Sequence, residues 1–383
     1  DRWQFARYGN RLIATALSSP PQFLDVDLGG DFADLPNAPE AKYVCVAGDF
    51  VVFGHLVNEP YTLKWSGIND SEYWTVGERG SDFQLLPDGD EITGLFGAPK
   101  GAYVFQRNSM RTMAFNPASG YTFTIDVVHP TRGSLAPLSI VQVGPGDFVF
   151  LCQDGFFRGS GGQVTPIGVE RVDKWFFAAI DTEDLIVVRG VADPFEKIVW
   201  FQYPILDGGY TLLGYKWSLD RWCTADNAGV TELVSITTQA ATIDSISDTI
   251  DSVDIAIDSR FFQGGAPIFS GFTTDNVLSI FDGAPREATL ATAEVELAAP
   301  MRSYVNGARV YGDTTDFTLK VGKRDFLGGT KTFTADVAPS SITGLVPRRA
   351  SARLHQFIVT VEASAAWNNM VSVEPMAQVE GDR

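Results

Sequence analysis

What the chain has least of narrows its chemistry first. Only three histidines, His55, His129 and His355, occur among 383 residues, and each is isolated in sequence. A catalytic triad or metal cluster drawing on them has to be assembled wholly by the fold, and a lone histidine near a strand end is usually structural. The three cysteines, Cys45, Cys152 and Cys223, cannot form a closed disulfide set. Two of them fall inside predicted strands, where a free thiol behaves as a small buried hydrophobe. That pattern favours folding in a reducing compartment. There is no Gly-x-Ser-x-Gly elbow, no phosphate-binding P-loop and no Gly-x-Gly-x-x-Gly fingerprint. No apolar stretch approaches the length that spans a bilayer, so no membrane span is expected. A start at Asp1 without Met reads as lacking the natural N-terminus, and no leader peptide is visible.

Positive charge is also scarce. Against 47 acidic residues stand 29 basic ones, a formal net charge of −18. Such a surface repels the nucleic-acid backbone and argues against a DNA- or RNA-gripping role. It serves solubility, or it lines a passage through which a polyanion slides without sticking. With acids this abundant, a pair of neighbouring carboxylates says nothing about glycosidase chemistry. The residues therefore yield no catalytic, cofactor-binding or metal-binding set, and the chain is read as a non-enzyme without cofactor.

What the chain does have is a repeat. Apolar residues make up 45%, ample for a sizeable core, and 37 glycines and 20 prolines punctuate short apolar runs along the whole length. Five stretches share a small or acidic turn followed by a β-rich run: Gly9 to Ala14, Gly48 to Phe53, Gly101 to Phe105, Gly146 to Phe150 and Glu183 to Val188. Aligned on Leu12, Phe50, Tyr103, Phe148 and Leu185, they recur at roughly 37 to 53 residues, the blade period of a β-propeller. A second run follows each of the last four: Tyr61 to Trp65, Arg111 to Phe115, Gly155 to Arg158 and Lys197 to Phe201. One such hairpin leaves an apolar face bare, and a ring of them buries it. The predicted fold is all-β, a β-propeller-like radial repeat over residues 1–285 with about five to seven blades.

Within it, residues 1 to about 40 hold one repeat strand and a Pro/Asp-rich loop at 31–39. Residues 41–90 make the clearest blade, 92–137 and 138–180 two more, and 181–224 a fifth unit. Paired tryptophans across a tight turn, Trp65 with Trp74 and Trp217 with Trp222, mark equivalent blade edges. Trp65, Trp74 and Trp222 could form a sugar platform, but blade packing is the preferred reading. The stretch 242–259 alternates Asp244, Asp248, Asp251, Asp254 and Asp258 with isoleucines. A calcium site is conceivable there, yet no EF-hand glycine is present, and a solvated acidic surface is preferred.

From about Ala284 the texture changes. Runs at Ala293–Leu297, Phe317–Val321, Thr332–Val337 and Gln356–Val361 alternate with period two. They predict an additional C-terminal antiparallel β-sandwich or barrel over 286–383, whose last strands could instead return to close the propeller.

Several phrases, in this order, resemble the nozzle, hub or stabilisation proteins of the tail tube in short-tailed bacteriophages. They are Trp3-Gln4-Phe5-Ala6-Arg7-Tyr8-Gly9, Trp65-Ser66-Gly67-Ile68 with Trp74, and Thr131-Arg132-Gly133-Ser134-Leu135-Ala136-Pro137. Then follow Gln153-Asp154-Gly155-Phe156-Phe157, Pro166-Ile167-Gly168 with Val172-Asp173, and Asp193-Pro194. Glu287-Ala288-Thr289-Leu290, Arg349 to His355, Trp367 and the ending Glu380-Gly381-Asp382-Arg383 complete the likeness. The resemblance implies a propeller subunit that forms a homohexameric ring below the portal and adaptor proteins. Such a ring extends and closes the DNA channel, supports DNA ejection without specific DNA binding, and carries fibres or spikes. It implies location in the virion tail after assembly in the host cytoplasm, and no catalytic residues to carry over. The alternatives are a receptor- or glycan-binding propeller, with exposed aromatics around a shallow pocket, and a propeller hydrolase, with acids or histidines converging on the central channel.

Overall fold

The computed structural model describes residues 2–206, 208–227, 229–237, 267–281 and 284–381. The chain is all-β and propeller-like, and divides into two compact units, residues 1–281 and 282–383. Among the described residues, six antiparallel sheets follow one another along the first unit. Those at 4–34, 41–85, 92–129, 141–166 and 189–226 have four strands each, and that at 230–280 has three among the described residues. In every one the strands lie in chain order, joined as a meander.

The second strands show why the sequence folds this way. In Phe50–Leu56, Phe50 and Val52 pack toward sheet three, while Val51 and Phe53 pack toward sheet one. In Asp147–Cys152, Phe148, Phe150 and Cys152 face sheet three, and Val149 and Leu151 face sheet five. Successive side chains point to opposite faces, so a strand buried on both reads as an unbroken apolar run. The turns ahead of these strands hold Gly48 at φ +58° and Gly146 at φ +75°, which glycine adopts without steric cost. Five apolar cores thus alternate with six sheets, one between each consecutive pair. First strands touch their neighbours: Gln4–Tyr8 meets Ala41–Ala47, which meets Ile92–Ala98, and Arg189–Asp193 meets both Val141–Gly144 and Val230–Thr237. They form the inner side of the array. Between the last sheet and the first, the Arg2 guanidinium lies 3.5 Å from the Glu232 carboxylate.

Two local expectations are corrected. Residues 1–40 hold four strands rather than one; Pro20 and Pro21 open the strand Ser19–Asp25 instead of breaking it, because a strand's first residues can dispense with an N–H. The run at 183–188 is not a strand. Thr182–Val187 is a 3-10 helix started by the Asp181 carboxylate, which accepts from the Glu183 N–H, and its Leu185 is buried. The second strand of sheet five is Ile198–Pro204, and sheet six, at 230–280, had no counterpart in the repeat. The acidic stretch 242–259 lies outside the described residues.

The second unit has two antiparallel sheets. One joins Ala288–Ala291, Leu354–Val361, Phe317–Arg324 and Thr332–Phe333, with Val295–Glu296 alongside; the other joins Leu345–Ala352, Arg302–Gly312 and Met370–Gly381. Val305, Leu319, Val321, Val346, Val359 and Val361 fill the space between them. No described strand of this unit pairs with the propeller sheets.

Candidate functional site

Strand alternation delivers polar side chains to the inner side of the propeller unit. In Ala41–Ala47, Ala41 and Tyr43 are buried while Lys42 between them is half-buried and faces the inner space. Two adjoining cavities open there, of about 260 and 250 Å³. They share Lys42, Tyr43, Pro137 and Ile186. Their walls come from the first strands of sheets one, two and three and from the 3-10 segments Pro137–Ser139 and Thr182–Val187, which lead into sheets four and five.

The two cavities differ in charge. The first carries Arg2, Gln4 and Lys42 among Leu138, Ile186 and Val187, with no carboxylate among its described wall residues. The second holds Glu91 and Glu183 beside Arg107 and His55. There Arg107 is neutralised by Glu91 at 2.5 Å and by Asp90 at 3.6 Å. The His55 ring meets the Ile92 carbonyl at 2.8 Å, and the buried Thr93 hydroxyl has no hydrogen-bond partner. Burial, aided by Glu91, pushes the Tyr43 phenol well above its ordinary value and keeps it neutral. Arg2 and Arg189 converge on Glu232, at 3.5 and 3.3 Å. Burial draws the Arg189 guanidinium below its usual value, against the pull of Glu232. No described carboxylate pairs with Lys42, whose ammonium stands 5.5 Å from the Tyr43 ring centre. The sequence reading passed over these residues. The one available signal was a lone lysine inside the apolar run Ala41-Lys42-Tyr43-Val44-Cys45.

A second concave site lies at the edge of sheets four and five, about 350 Å³, where Trp217 and Tyr215 meet Arg158, Arg171 and Asp220. Arg171 pairs with Asp220 at 2.6 Å, and the Tyr215 hydroxyl donates to Asp220 at 3.0 Å. The Arg158 Nε–H is buried without a partner, although its terminal nitrogen reaches Asp147 at 3.2 Å.

The tryptophans considered as a sugar platform do not make one. Trp65 and Trp74 are 4% and 5% exposed. The Trp65 indole N–H donates to the Gly80 carbonyl at 2.8 Å, and Trp74 stacks on Phe53 at 5.2 Å. Trp222 is half-buried against Phe156 and Tyr215 and donates to Ile167 at 3.1 Å. The histidines are dispersed over sheet two, sheet three and the second unit. Among the described residues no three His, Cys, Asp or Glu side chains cluster to hold a metal, and no helix is long and apolar enough to cross a membrane.

Phrases far apart in sequence do meet. The Asp173 carboxylate accepts from the Phe156 N–H at 3.1 Å, in a space kept open by Gly155 and Gly168. Ile167 N–H bonds back to the Phe156 carbonyl at 2.9 Å. Arg132 spans from Asp154, at 2.8 Å, to the face of Phe157, at 5.2 Å. Burial, with Asp154 nearby, raises the Asp173 carboxyl above the ordinary range.

No family model and no curated protein matches this chain. Solved structures do. The extracellular domain of a putative one-component system from B. thetaiotaomicron is similar at 11% identity and a TM-score of 0.33, over 54% of this chain and 26% of its own. This chain therefore spans about a quarter of that protein's length. BamB from Moraxella catarrhalis is 11% identical over 94% of this chain and 93% of its own, with a TM-score of 0.34. An ancestral GH74 enzyme is 11% identical over 79% and 46%, with a TM-score of 0.38.

Proposed function

We propose that the protein is a non-enzymatic structural subunit of a short-tailed phage tail tube, a nozzle or hub protein. In this reading it assembles as a homohexameric ring in the virion tail. The ring extends and closes the DNA channel below the portal and adaptor, and supports fibres or spikes. One observation carries the reading. The phrases that resemble this family serve as ties within and between sheets: Arg132 to Asp154 and Phe157, Asp173 to Phe156, and Trp65 to Gly80. They hold a scaffold together and converge on no reactive group.

Purified protein mixed with the portal and adaptor proteins should give sixfold tubes in negative-stain microscopy; monomers under all conditions would refute the assignment. If six copies surround one axis, acidic residues in the bore repel DNA phosphates, and the free protein shows no duplex binding at physiological salt. Tight binding in a gel-shift assay would instead indicate a DNA-recognition role.

The second reading is a glycan-binding propeller, supported by Trp217 beside Arg158 and Arg171 in the concave site at the edge of sheets four and five. Retention of the protein on a glycan array, abolished by Trp217→Ala, would favour it.

A further inference from the structure

We infer that the first inner cavity of the propeller unit is a binding site for a small anion with an apolar body, such as an aromatic or branched aliphatic sulfonate, carboxylate or phosphate monoester. Three observations carry this.

The first is an imbalance of charge. In a chain with 47 acidic and 29 basic residues, the wall of this cavity holds Arg2 and Lys42 and, among the described residues, no acid. The adjoining cavity, whose wall also includes Lys42, holds Glu91 and Glu183; Glu91 is engaged by Arg107 at 2.5 Å, and Glu183 lies on that side rather than in the first cavity's wall. Tyr43, the other ionisable group beside Lys42, stays neutral because it is buried. The second is that Lys42 lacks a counter-charge. It projects from a strand whose flanking residues are buried, and its ammonium stands 5.5 Å from the centre of the Tyr43 ring. A half-buried ammonium without a counter-ion is a site where an anion gains more than it would beside a solvated lysine. The third is shape and lining. About 260 Å³ bounded by Leu138, Pro137, Ile186 and Val187 accepts a bicyclic or short branched body. It is far too small for a nucleic-acid strand or a folded partner.

In the bound state Lys42 contacts the anionic head, and Gln4 is placed to donate to it. The Arg2 guanidinium, already shared with Glu232, adds field rather than a dedicated contact. The apolar body then lies against Leu138 and Ile186.

The test uses the whole chain and a matched pair of probes, naphthalene-1-sulfonate and its neutral sulfonamide, titrated by calorimetry. The sulfonate should bind once per chain and at least about tenfold more tightly than the sulfonamide, the effect of one charge-assisted contact. Lys42→Met should erase that preference with the circular dichroism melt unchanged, and Lys42→Arg should keep it. Leu138→Trp, which fills the cavity, should weaken both probes. A sulfonate that binds no better than the sulfonamide, or a preference that survives Lys42→Met, overturns the proposal. So does undiminished binding in Leu138→Trp, because it places the probe elsewhere.

Discussion

The core between sheets three and four and the core between sheets five and six do the same job with different materials. The first is built from aromatics: Phe148 lies 4.8, 4.7 and 5.6 Å from Phe96, Tyr103 and Phe105, and Phe150 continues the row to Phe157. The second has, among the described residues, three buried ones, Leu212, Val230 and Leu233, with Trp200 and Phe269 stacked at 6.2 Å nearer the surface. Offset and tilted rings add attraction beyond the area they bury. Among the described residues the unit is therefore packed with rings in its middle and with aliphatic side chains toward its last sheet.

The sharpest way to break the comparison is Phe148→Ala. Removing a ring at 0% exposure should cost about 3–5 kcal/mol in chemical denaturation, since its partners cannot collapse into the void. Leu233→Ala in the thinner core should cost less, about 2–3 kcal/mol, the low end for a buried leucine, because its half-exposed neighbours relax inward. Equal losses at the two positions would show that the aromatic row is no stronger than the aliphatic patch.

Acid should discriminate between the two units. His355, fully enclosed in the second unit, contacts the Ser303 hydroxyl at 3.3 Å and leaves its Nε2 without a partner. Burial holds its pKa below the ordinary 6.5. The unfolded chain thus takes up a proton near pH 6.5 that the folded unit resists. The stability this neutral imidazole contributes is complete above that pH and is lost as pH falls through the lower folded value. Melts recorded between pH 7.5 and 5 should show the second unit weakening first, and His355→Gln should flatten its pH dependence. A profile unchanged by that substitution would refute the argument.

The smallest effect is a labelling pattern. Cys152 belongs to the aromatic core and Cys45 to the core between sheets two and three, and burial pushes both thiols up to about 12. Cys223 is exposed. Mass spectrometry after iodoacetamide should find Cys223 alkylated in the native protein, and Cys45 and Cys152 only after unfolding.

How much of this could be read from the sequence follows from how each strand is buried. Strands enclosed on both faces announce themselves, which is why the runs at Phe50, Tyr103 and Phe148 were legible. The run at Leu185 is as apolar, but Asp181 caps it into a 3-10 helix, and composition alone does not separate the two outcomes. In the second unit, Arg302–Gly312 went unread because a bulge between Val305 and Gly307 breaks its alternation. Met370–Gly381 went unread because it is an edge strand, with Val371, Met376 and Val379 exposed. The inner cavity was invisible for another reason: Arg2, Lys42, Leu138 and Ile186 meet only once several sheets stand side by side.

The chain-order pairing of the propeller sheets has a consequence for synthesis. Each sheet is complete as soon as its own stretch has left the ribosome, since no described strand waits for a partner from another sheet. Sheet two can therefore dock on sheet one while sheet five is still untranslated. The second unit offers no such schedule. Arg302 pairs with Gly381, so its smaller sheet is completed only when the final residues emerge. Local pairing is fast and distant pairing slow. The nascent protein should thus carry a nearly finished propeller while its last hundred or so residues remain open, and a ribosome stalled near residue 281 should hold a protease-resistant first unit.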